Sequence, residues 1–255
     1  MEKVQLRAME LRTMELIIQR PNKRIYRRAQ DCVKLFNEDV PAADVLGEAM
    51  NQAMAQQAGL PVPCLREVTK LDGKWAIVYE YIEGDTLLRH MESEPGDPQW
   101  MELFVRLQME VHDARIPKLQ RQRDQLHRKI SASGLDATAR YELHTRLDAM
   151  HDHQKVCHGD FVPSNVILRQ GSPFVIDWNH LTQGNASADA ANSYLTMQKR
   201  GHAGLAASYL KLYCERSDTA RQYVEKWMPI IAGAALANCP QADKGFYRRV
   251  CEEMI

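Results

Sequence analysis

The chain has 255 residues, 45% of them hydrophobic, which is enough to bury the core of one large domain or of two smaller lobes. Lysine plus arginine and aspartate plus glutamate number 33 each, so no overall charge attracts nucleic acid or an anionic membrane, and we expect neither as a partner. The six cysteines form no C-x-x-C pair, and no segment approaches the roughly 18 consecutive apolar residues of a membrane span, so we expect a cytoplasmic protein with reduced thiols.

Three short runs in the first third of the chain have the composition of β-strands. Residues 14–20, 24–28 and 31–36 are short runs that contain β-branched and aromatic side chains. Turn formers such as Pro21 and Asn22 separate these runs. The pattern predicts an antiparallel meander of three strands.

One helix is predicted after the meander. It begins near Pro41, and Gly59 supplies a stop signal. Its apolar residues form a stripe at helical spacing, which is the expected packed face: Leu46, Met50, Ala53 and Met54. Glu48 falls near the opposite face, beside Val45 and Gln52, where a glutamate is ordinarily exposed.

A hairpin completes the first lobe. Asp72 and Gly73 form a typical two-residue turn, and the apolar run 75–82 predicts the second strand of the hairpin. We therefore expect a five-stranded antiparallel sheet with one helix in residues 1–82. The composition of residues 83–255 predicts a larger, mostly helical lobe, which makes the fold class a two-lobed α+β arrangement.

The second lobe begins with helical patterns. Residues 97–152 carry an apolar stripe with charges between its members, which predicts a buried helix face: Trp100, Phe104, Leu107 and Val111. Two further helices are predicted before residue 152, split at residues 131–134, and Asp136 is the expected N-cap of the second. The tail, residues 188–255, again has a helical pattern.

Residues 156–178, "VCHGDFVPSNVILRQGSPFVIDW", stand between these helices and predict a small hairpin. In it, "VCHGD" leads through a loop into the strand "NVILR", the turn "QGSP" and the strand "FVIDW". Asp160 then lies on a loop beside Asn165, and Asp177 lies at the end of the second strand. Three oxygen-bearing side chains at strand ends suit Mg²⁺, with a nucleotide phosphate as the expected further ligand.

The spacing within "HGDFVPSN" is more specific than this general chemistry. It has the form H-G-D-x-x-x-x-N, close to the kinase catalytic loop H-R-D-x-x-x-x-N, and "IDW" stands where kinases have D-F-G. On these motifs the sequence resembles the aminoglycoside phosphotransferase and choline kinase family, the small-molecule branch of the protein-kinase-like fold. "CVKLF", "GEAMNQAMAQQAGLPVP" and "IVYEYIEGDTLL" are similar to the lysine strand, glutamate helix and hinge of that family, so the resemblance runs from about residue 24 onward.

The resemblance implies an enzyme that uses ATP and Mg²⁺ to move the γ-phosphoryl group to a hydroxyl of a small molecule. Asp160 would accept the proton of that hydroxyl, while Asn165 and Asp177 would hold the metal. The histidine before Asp160, His158, is expected to orient the loop by hydrogen bonding and not to transfer protons.

The same resemblance implies how the nucleotide is bound. Lys34, aligned by Glu48, would hold the nucleotide phosphates. The role of Glu48 depends on the resemblance alone, because the helical spacing does not favour its burial. Adenine is expected to hydrogen-bond to the backbone of the hinge at Glu80, Tyr81 and Ile82.

One segment departs from the kinase pattern. Kinases usually cover the phosphates with a glycine-rich turn, whereas "QRPNKRIYRR" contains no glycine. Either Lys23 and Arg24 assist the phosphates, or nucleotide binding is impaired and the segment is a solvated basic hairpin. A nucleotide-binding pseudokinase therefore remains an alternative, as does a protein kinase, although the helix-rich residues 97–152 and "IDW" resemble the small-molecule branch.

The acceptor and the oligomeric state do not follow from the sequence. Pockets for polycationic aminoglycosides are expected to be acidic. Residues 188–255 contain nine lysines and arginines against seven acidic residues, namely Asp189, Glu215, Asp218, Glu225, Asp243, Glu252 and Glu253. This balance argues against an antibiotic as the acceptor.

Overall fold

The structure is a computed structural model that describes residues 14–254. The chain divides into two compact units. The first consists of the residues up to Thr86 together with Asn165–Asn179, and the second consists of Leu87–Ser164 and the residues from His180 onward. No helix among the described residues is long and apolar enough to cross a membrane.

A five-stranded antiparallel sheet forms most of the first unit. The strands are β1 (Glu15–Gln19), β2 (Lys23–Arg28), β3 (Asp31–Phe36), β4 (Leu65–Leu71) and β5 (Lys74–Glu80), in the order β1-β2-β3-β5-β4. Asp72 and Gly73 have φ values of 49° and 76°, the left-handed geometry that a tight two-residue hairpin requires. The predicted meander and hairpin are confirmed.

Helix α1 (Ala42–Gln57) packs on this sheet with a different face from the predicted one. Leu46 and Met50, members of the predicted apolar stripe, are 48% and 59% exposed. The buried face instead carries Val45, Glu48 and Gln52. Burial of the two polar side chains is tolerated because each has a partner: Glu48 pairs with a lysine described below, and Gln52 donates to the carbonyl oxygen of Pro63 at 2.6 Å.

A smaller sheet lies in the same unit and consists of β6 (Asp85–Thr86), β8 (Val166–Arg169) and β9 (Ser172–Val175) in the order β6-β8-β9. The chain approaches β8 very closely at Gly84, where a Cβ atom would lie 1.9 Å from the carbonyl oxygen of Leu168. The turn between β8 and β9 is Gln170–Gly171, so the predicted turn "QGSP" was too long by two residues that belong to β9.

These contacts explain why residues 165–179 group with the first unit. Strand β8 pairs with β6, and the N–H of Val175 donates to the carbonyl oxygen of Pro61 at 2.7 Å. The sequence-based division had assigned the whole hairpin, residues 156–178, to the helical lobe. The lobe limits 1–82 and 83–255 stay a prediction.

The second unit is mostly helical. Its helices are α2 (Leu87–Ser93), α3 (Pro98–Asp113), α4 (Gln122–Ser131), α5 (Ala137–Ala149), α6 (Ala186–Lys199), α7 (Ala203–Ser217), α8 (Arg221–Ala235) and α9 (Lys244–Met254). Asp136 caps α5 as predicted, because its side chain accepts from the N–H of Ala139 at 2.9 Å. Phe104, Leu107 and Val111 of α3 are buried, as their spacing predicted. Helix α2 was not predicted.

A two-stranded ribbon completes the second unit. Strand β7 (Lys155–Cys157) pairs antiparallel with β10 (Thr182–Gly184). This pairing was not predicted, because three-residue strands are too short for an alternating pattern to show. The "HGD" segment begins at His158, directly after β7.

Candidate active site

Lys34 lies in the middle of β3, with only 7% of its surface exposed. Its neighbours along the strand, Val33 and Leu35, pack into the core on the opposite face of the sheet. Lys34 therefore points to the face that carries α1. There its Nζ atom donates to the carboxylate of Glu48 and, at 3.0 Å, to Oδ1 of Asp177.

The charge of Lys34 is stabilised by these two carboxylates. Burial lowers the pKa of Lys34, but the charges of Asp177 and Glu48 raise it by more, so the pKa lies above its usual value. The side chain is therefore held as an ammonium before any ligand arrives.

Glu48 is fixed from a second side as well. Its Oε1 atom accepts from the hydroxyl of Tyr79 at 3.2 Å, and only 5% of Glu48 is exposed. Burial and the carboxylate of Glu48 raise the pKa of Tyr79, so the phenol stays a hydrogen-bond donor. The glutamate that the helical spacing placed on the exposed face is thus among the most enclosed charges of the first unit.

Asp177 and Asn165 are close along the small sheet. The N–H of Ile176 donates to the backbone oxygen of Asn165 at 2.9 Å, which places Asp177 one residue beyond this bond. Asp177 itself has a φ of 69°, a left-handed conformation that turns the chain out of the strand direction directly after β9.

The chemistry of this pair fits a hard divalent cation. An amide and a carboxylate offer oxygen atoms, which Mg²⁺ prefers, and Mg²⁺ commonly completes its shell with water and phosphate oxygens. In residues 14–254 no group of three or more His, Cys, Asp or Glu side chains is arranged so that it could hold a metal ion.

Lys23 and Arg24 face different sides of the sheet. In the register of β2 with β3, Ile25 pairs with Lys34, so Lys23, two residues earlier, shares the face of Lys34. The Nζ atom of Lys23 lies 3.5 Å from Oδ1 of Asp177. Burial and the nearby ammonium of Lys34 lower the pKa of Lys23. Arg24 is exposed, so only one of the two predicted phosphate contacts is at this site.

The predicted hinge is partly occupied by contacts within its own unit. The backbone N–H groups of Glu80 and Tyr81 donate to the carbonyl oxygens of Cys64 and Gln30, each at 2.8 Å. These two N–H groups are therefore already used. Ile82, which follows them, is buried at 5% exposure.

The side chains of the hinge are also engaged. The carboxylate of Glu80 forms an ion pair with Arg169 at 2.6 Å, and the hydrogen bond from Arg169 lowers the pKa of Glu80. The guanidinium of Arg27 lies 4.3 Å from the ring centroid of Tyr81. These contacts fix the side chains of Glu80 and Tyr81.

Asp160 belongs to the second unit, on the loop that follows β7. Gly159 has a φ of 82°, and a Cβ atom there would lie 2.6 Å from Cβ of His180, so the loop requires glycine. His158 is fully buried, and its Nδ1 atom accepts from the N–H of Asp160 at 3.2 Å. This contact is the orienting hydrogen bond that the sequence predicted for His158.

Asp189 of α6 organises this loop, and sequence reasoning missed it. Its carboxylate accepts from the N–H groups of Gly159 at 2.7 Å and His158 at 3.3 Å, and from Nε2 of His112 at 3.1 Å. Burial raises the pKa of Asp189, but the hydrogen bond and charge of His112, the charge of His158 and the hydrogen bond from Gly159 together outweigh it, and the pKa lies below its usual value. One turn later, Asn192 donates to the carbonyl oxygen of Gly159 at 2.6 Å.

A signal for Asp189 was present in the sequence. In "NASADAANSYL" one aspartate stands among small residues of a helix, an unfavourable place for a charge unless it is paired. The loop that carries Asp160 is therefore fixed by an acid about thirty residues later in the chain.

A pocket of about 290 Å³ lies beside Asp160 and is lined by the second unit alone. Helices α4, α6 and α8 supply most of its walls. Its charged lining residues are Asp160, Asp189, Lys129, Lys199 and Arg200. Asp160 thus has a cavity of small-molecule size next to it.

A sequence profile of the phosphotransferase enzyme family (APH) matches residues 22–226, more than half of the 255 residues. The chain belongs to this family. No curated protein sequence matches this chain significantly.

Solved structures show the fold that goes with the family. A thermostable mutant of aminoglycoside phosphotransferase APH(4)-Ia, in a ternary complex with AMP-PNP and hygromycin B, superimposes with a TM-score of 0.73 at 15% identity, covering 95% of this chain and 92% of that one. Choline kinase LicA from Streptococcus pneumoniae gives 0.69 at 14% identity, with 99% and 98% covered. A choline/ethanolamine kinase family protein from Mesorhizobium loti gives 0.67 at 15% identity, with 100% and 94% covered.

These likenesses establish the fold of the phosphotransferase-family chain. The predicted two-lobed α+β kinase-like fold is confirmed, and so is the resemblance to the aminoglycoside phosphotransferase and choline kinase family.

Proposed function

We propose that this chain is an ATP- and Mg²⁺-dependent phosphotransferase that moves the γ-phosphoryl group of ATP to a hydroxyl of a small molecule. The observation that carries the proposal is Lys34, buried in the sheet and held between the carboxylates of Glu48 and Asp177. A lysine so held has a fixed ammonium on the face that the family uses for nucleotide phosphates. Family membership and the AMP-PNP bound to the aminoglycoside phosphotransferase support the choice of nucleotide.

Lys34 and Lys23 are the proposed phosphate ligands of the first unit. Both ammonium groups lie near Oδ1 of Asp177, at 3.0 and 3.5 Å, and are therefore close enough to one another to act on one polyanion. A triphosphate would reduce the repulsion between the two cations, which contributes to binding. Lys23 would thus supply positive charge where the glycine-free turn supplies fewer backbone N–H groups.

Asn165 and Asp177 are the proposed metal ligands. When bound there, Mg²⁺ would neutralise charge on the phosphate oxygens of the nucleotide. Asp177 would have to exchange part of its contact with the two lysines for the metal, which its 30% side-chain exposure permits.

Asp160 is the proposed general base. It would take the proton of the acceptor hydroxyl as the hydroxyl oxygen forms its bond to the γ-phosphorus. The bond between that phosphorus and the bridging oxygen breaks at the same time, and ADP leaves with the electron pair. His158 and Asp189 support this role by fixing the backbone that leads into Asp160.

The hydrogen bonds within the hinge limit which of its backbone groups can bind adenine. Because the N–H groups of Glu80 and Tyr81 are used within the sheet unit, we assign the donor for adenine to the backbone of Ile82. Glu80 and Tyr81 would then shape the adenine site through their fixed side chains and not through their N–H groups.

A catalytically weak nucleotide-binding protein is the second candidate. The observation that favours it is the ammonium of Lys23 at 3.5 Å from Asp177, which offers a cation of the chain itself next to the proposed metal ligand. Such a cation could substitute for the metal charge and leave a nucleotide bound without turnover.

The experiment that separates these candidates measures nucleotide binding and ADP formation in the same preparation. Calorimetric titration with ATP is performed with and without Mg²⁺, and ADP release is followed with a panel of small hydroxyl compounds. We expect Mg²⁺ to strengthen ATP binding and at least one acceptor to accelerate ADP formation. Binding that is indifferent to Mg²⁺, without turnover, would support the second candidate, and no binding near millimolar ATP would contradict both.

A further inference from the structure

The pocket beside Asp160 contains more cationic than acidic side chains. Lys129, Lys199 and Arg200 line it together with two carboxylates, Asp160 and Asp189. A pocket for a polycation would need acids that face the ligand, because opposite charge both steers and binds such molecules. The lining of this pocket instead has three cationic side chains and two carboxylates.

Most of these charges are already used by the protein. Both oxygens of Asp189 accept hydrogen bonds from the loop and from α3. Lys199 forms an ion pair with Asp243 at 2.7 Å, and Arg200 donates to the hydroxyl of Ser164 at 2.8 Å. Arg200 is exposed to solvent, whereas Lys129 is half-buried and has no acidic partner among residues 14–254, so Lys129 is the cation whose state depends most on what enters the pocket.

Lys129 lies on α4 and is half-buried. No carboxylate among residues 14–254 forms an ion pair with it, and the charge that acts on it is that of Arg128. Burial and this neighbouring guanidinium lower the pKa of Lys129. An ammonium withdrawn from water without an anion is unfavourable, and an anion bound in the pocket would relieve this.

We propose that the pocket beside Asp160 binds a small hydroxyl compound with an anionic group, a carboxylate or a phosphate, and that Lys129 binds that group. The inference rests on the proposed function, since it identifies the class of the phosphoryl acceptor. Lys129 is then the specificity-determining residue, and the hydroxyl of the same molecule is presented to Asp160. Amine-rich acceptors are disfavoured, because the three lining cations outnumber the two lining carboxylates, Asp160 and Asp189.

The test uses matched hydroxyl compounds that differ in charge. Glycerol, glycerate and glycerol 3-phosphate form one series, glucose, gluconate and glucose 6-phosphate form a second, and choline and hygromycin B are the cationic probes. Binding of each is measured by calorimetry to the full-length wild type and to Lys129→Gln, Lys129→Arg and Arg128→Gln. Arg128 is the matched control, because it is an exposed cation of the same helix that does not line the pocket.

We expect at least one anionic compound to bind the wild type more tightly than its neutral counterpart. Lys129→Gln should weaken this binding about tenfold or more, the scale of a lost charge-assisted hydrogen bond. Lys129→Arg should retain most of it, and Arg128→Gln, which removes a charge that acts on Lys129 but no side chain of the pocket lining, should change it much less than Lys129→Gln does. Comparison of the carboxylates with the phosphates identifies which anion the pocket prefers.

The inference is overturned if no anionic compound binds the wild type more tightly than Lys129→Gln, or if choline or hygromycin B is bound preferentially. The proposed function is tested separately by ADP formation in the absence of added acceptor, which should depend on Asp160. Loss of Lys129-dependent anion binding with intact, Asp160-dependent ATP use would overturn the acceptor class alone. Anion binding without any ATP use would support the anionic ligand and overturn the phosphotransferase.

Discussion

Lys34 of the first unit and Lys129 of the second are both drawn away from solvent, yet their surroundings are opposite. Lys34 lies between the carboxylates of Glu48 and Asp177, and its pKa is raised. Lys129 has an arginine as its effective neighbour, and its pKa is lowered. The first cation is held in place by the protein, whereas the second is stabilised only when an anion is supplied.

The difference separates two kinds of binding site. A cation with fixed anionic partners is preorganised, so it can position a phosphate group without reorganising when the ligand arrives. A cation without such partners selects its ligand by charge, because only an anion removes the cost of its burial. We therefore assign nucleotide positioning to the first unit and acceptor selection to the second.

The largest expected effect is on stability, and it tests whether Lys34 forms a stabilising ion pair that Lys129 lacks. Lys34→Met should lower the free energy of unfolding by about 3–5 kcal/mol, because it leaves the buried carboxylate of Glu48 without its cation. Lys129→Met should leave stability unchanged or slightly higher. Urea denaturation of both variants measures the contrast.

A double variant provides the control for this prediction. Glu48→Gln in the Lys34→Met background removes the orphaned charge and should restore more than half of the lost stability. Equal costs for Lys34→Met and Lys129→Met would contradict the distinction between the two lysines.

The next effect concerns the separation of nucleotide and acceptor roles. Asp160→Asn should lower turnover by roughly 10²-fold or more, the scale of a lost general base, and leave Mg²⁺-ATP binding within about tenfold of wild type. Asp177→Asn should weaken the metal-dependent part of nucleotide binding itself. Calorimetric titration and initial-rate measurements on both variants decide the assignment, and the opposite pattern would reverse the two roles.

A smaller effect is expected at the glycine-free turn. Lys23→Ala should weaken ATP binding by about 1–3 kcal/mol, the range of a charge-assisted hydrogen bond, and adenosine binding should hardly change. Arg24→Ala is the matched control, since Arg24 is exposed on the other face of the same strand, and it should leave both affinities nearly unaltered. If Lys23→Ala and Arg24→Ala behave alike, the turn acts as a solvated basic surface.

The smallest effect is the pH dependence of stability, for which the two lysines have opposite signs. A lysine with a raised folded-state pKa binds its proton more tightly when folded, so the stability that Lys34 contributes is complete below the unfolded pKa of about 10.4 and is lost as the pH rises above it. Lys129 binds its proton less tightly when folded. Its unfavourable contribution is complete below its lowered pKa and disappears as the pH rises toward about 10.4.

The measurement for this prediction is urea denaturation at several pH values from 8 upward. The stability of wild type relative to Lys129→Met should increase with pH over that range, and its stability relative to Lys34→Met should not increase. Parallel curves for the two differences would show that the surroundings of the two lysines are electrostatically alike.

The α1 helix shows where sequence reasoning failed. Its apolar stripe predicted burial of Leu46 and Met50, yet both are exposed, and Glu48 and Gln52 are buried instead. Helical spacing measures only which residues share a face. It does not identify the face that meets polar partners, which here are Lys34 of the sheet and the carbonyl oxygen of Pro63 in the loop before β4.

The sequence by itself determined the five strands of the larger sheet, most of the helices and the kinase-like "HGDFVPSN" loop, because alternation, helical spacing and turn residues act over a few neighbouring positions. Only the tertiary structure decided that Lys34 meets Asp177, 143 residues away, that Lys23 and not Arg24 shares its face, and that Lys129 has no acidic partner among the described residues. Electrostatic partners are chosen by distance in space, and the local pattern of a sequence carries no record of that distance.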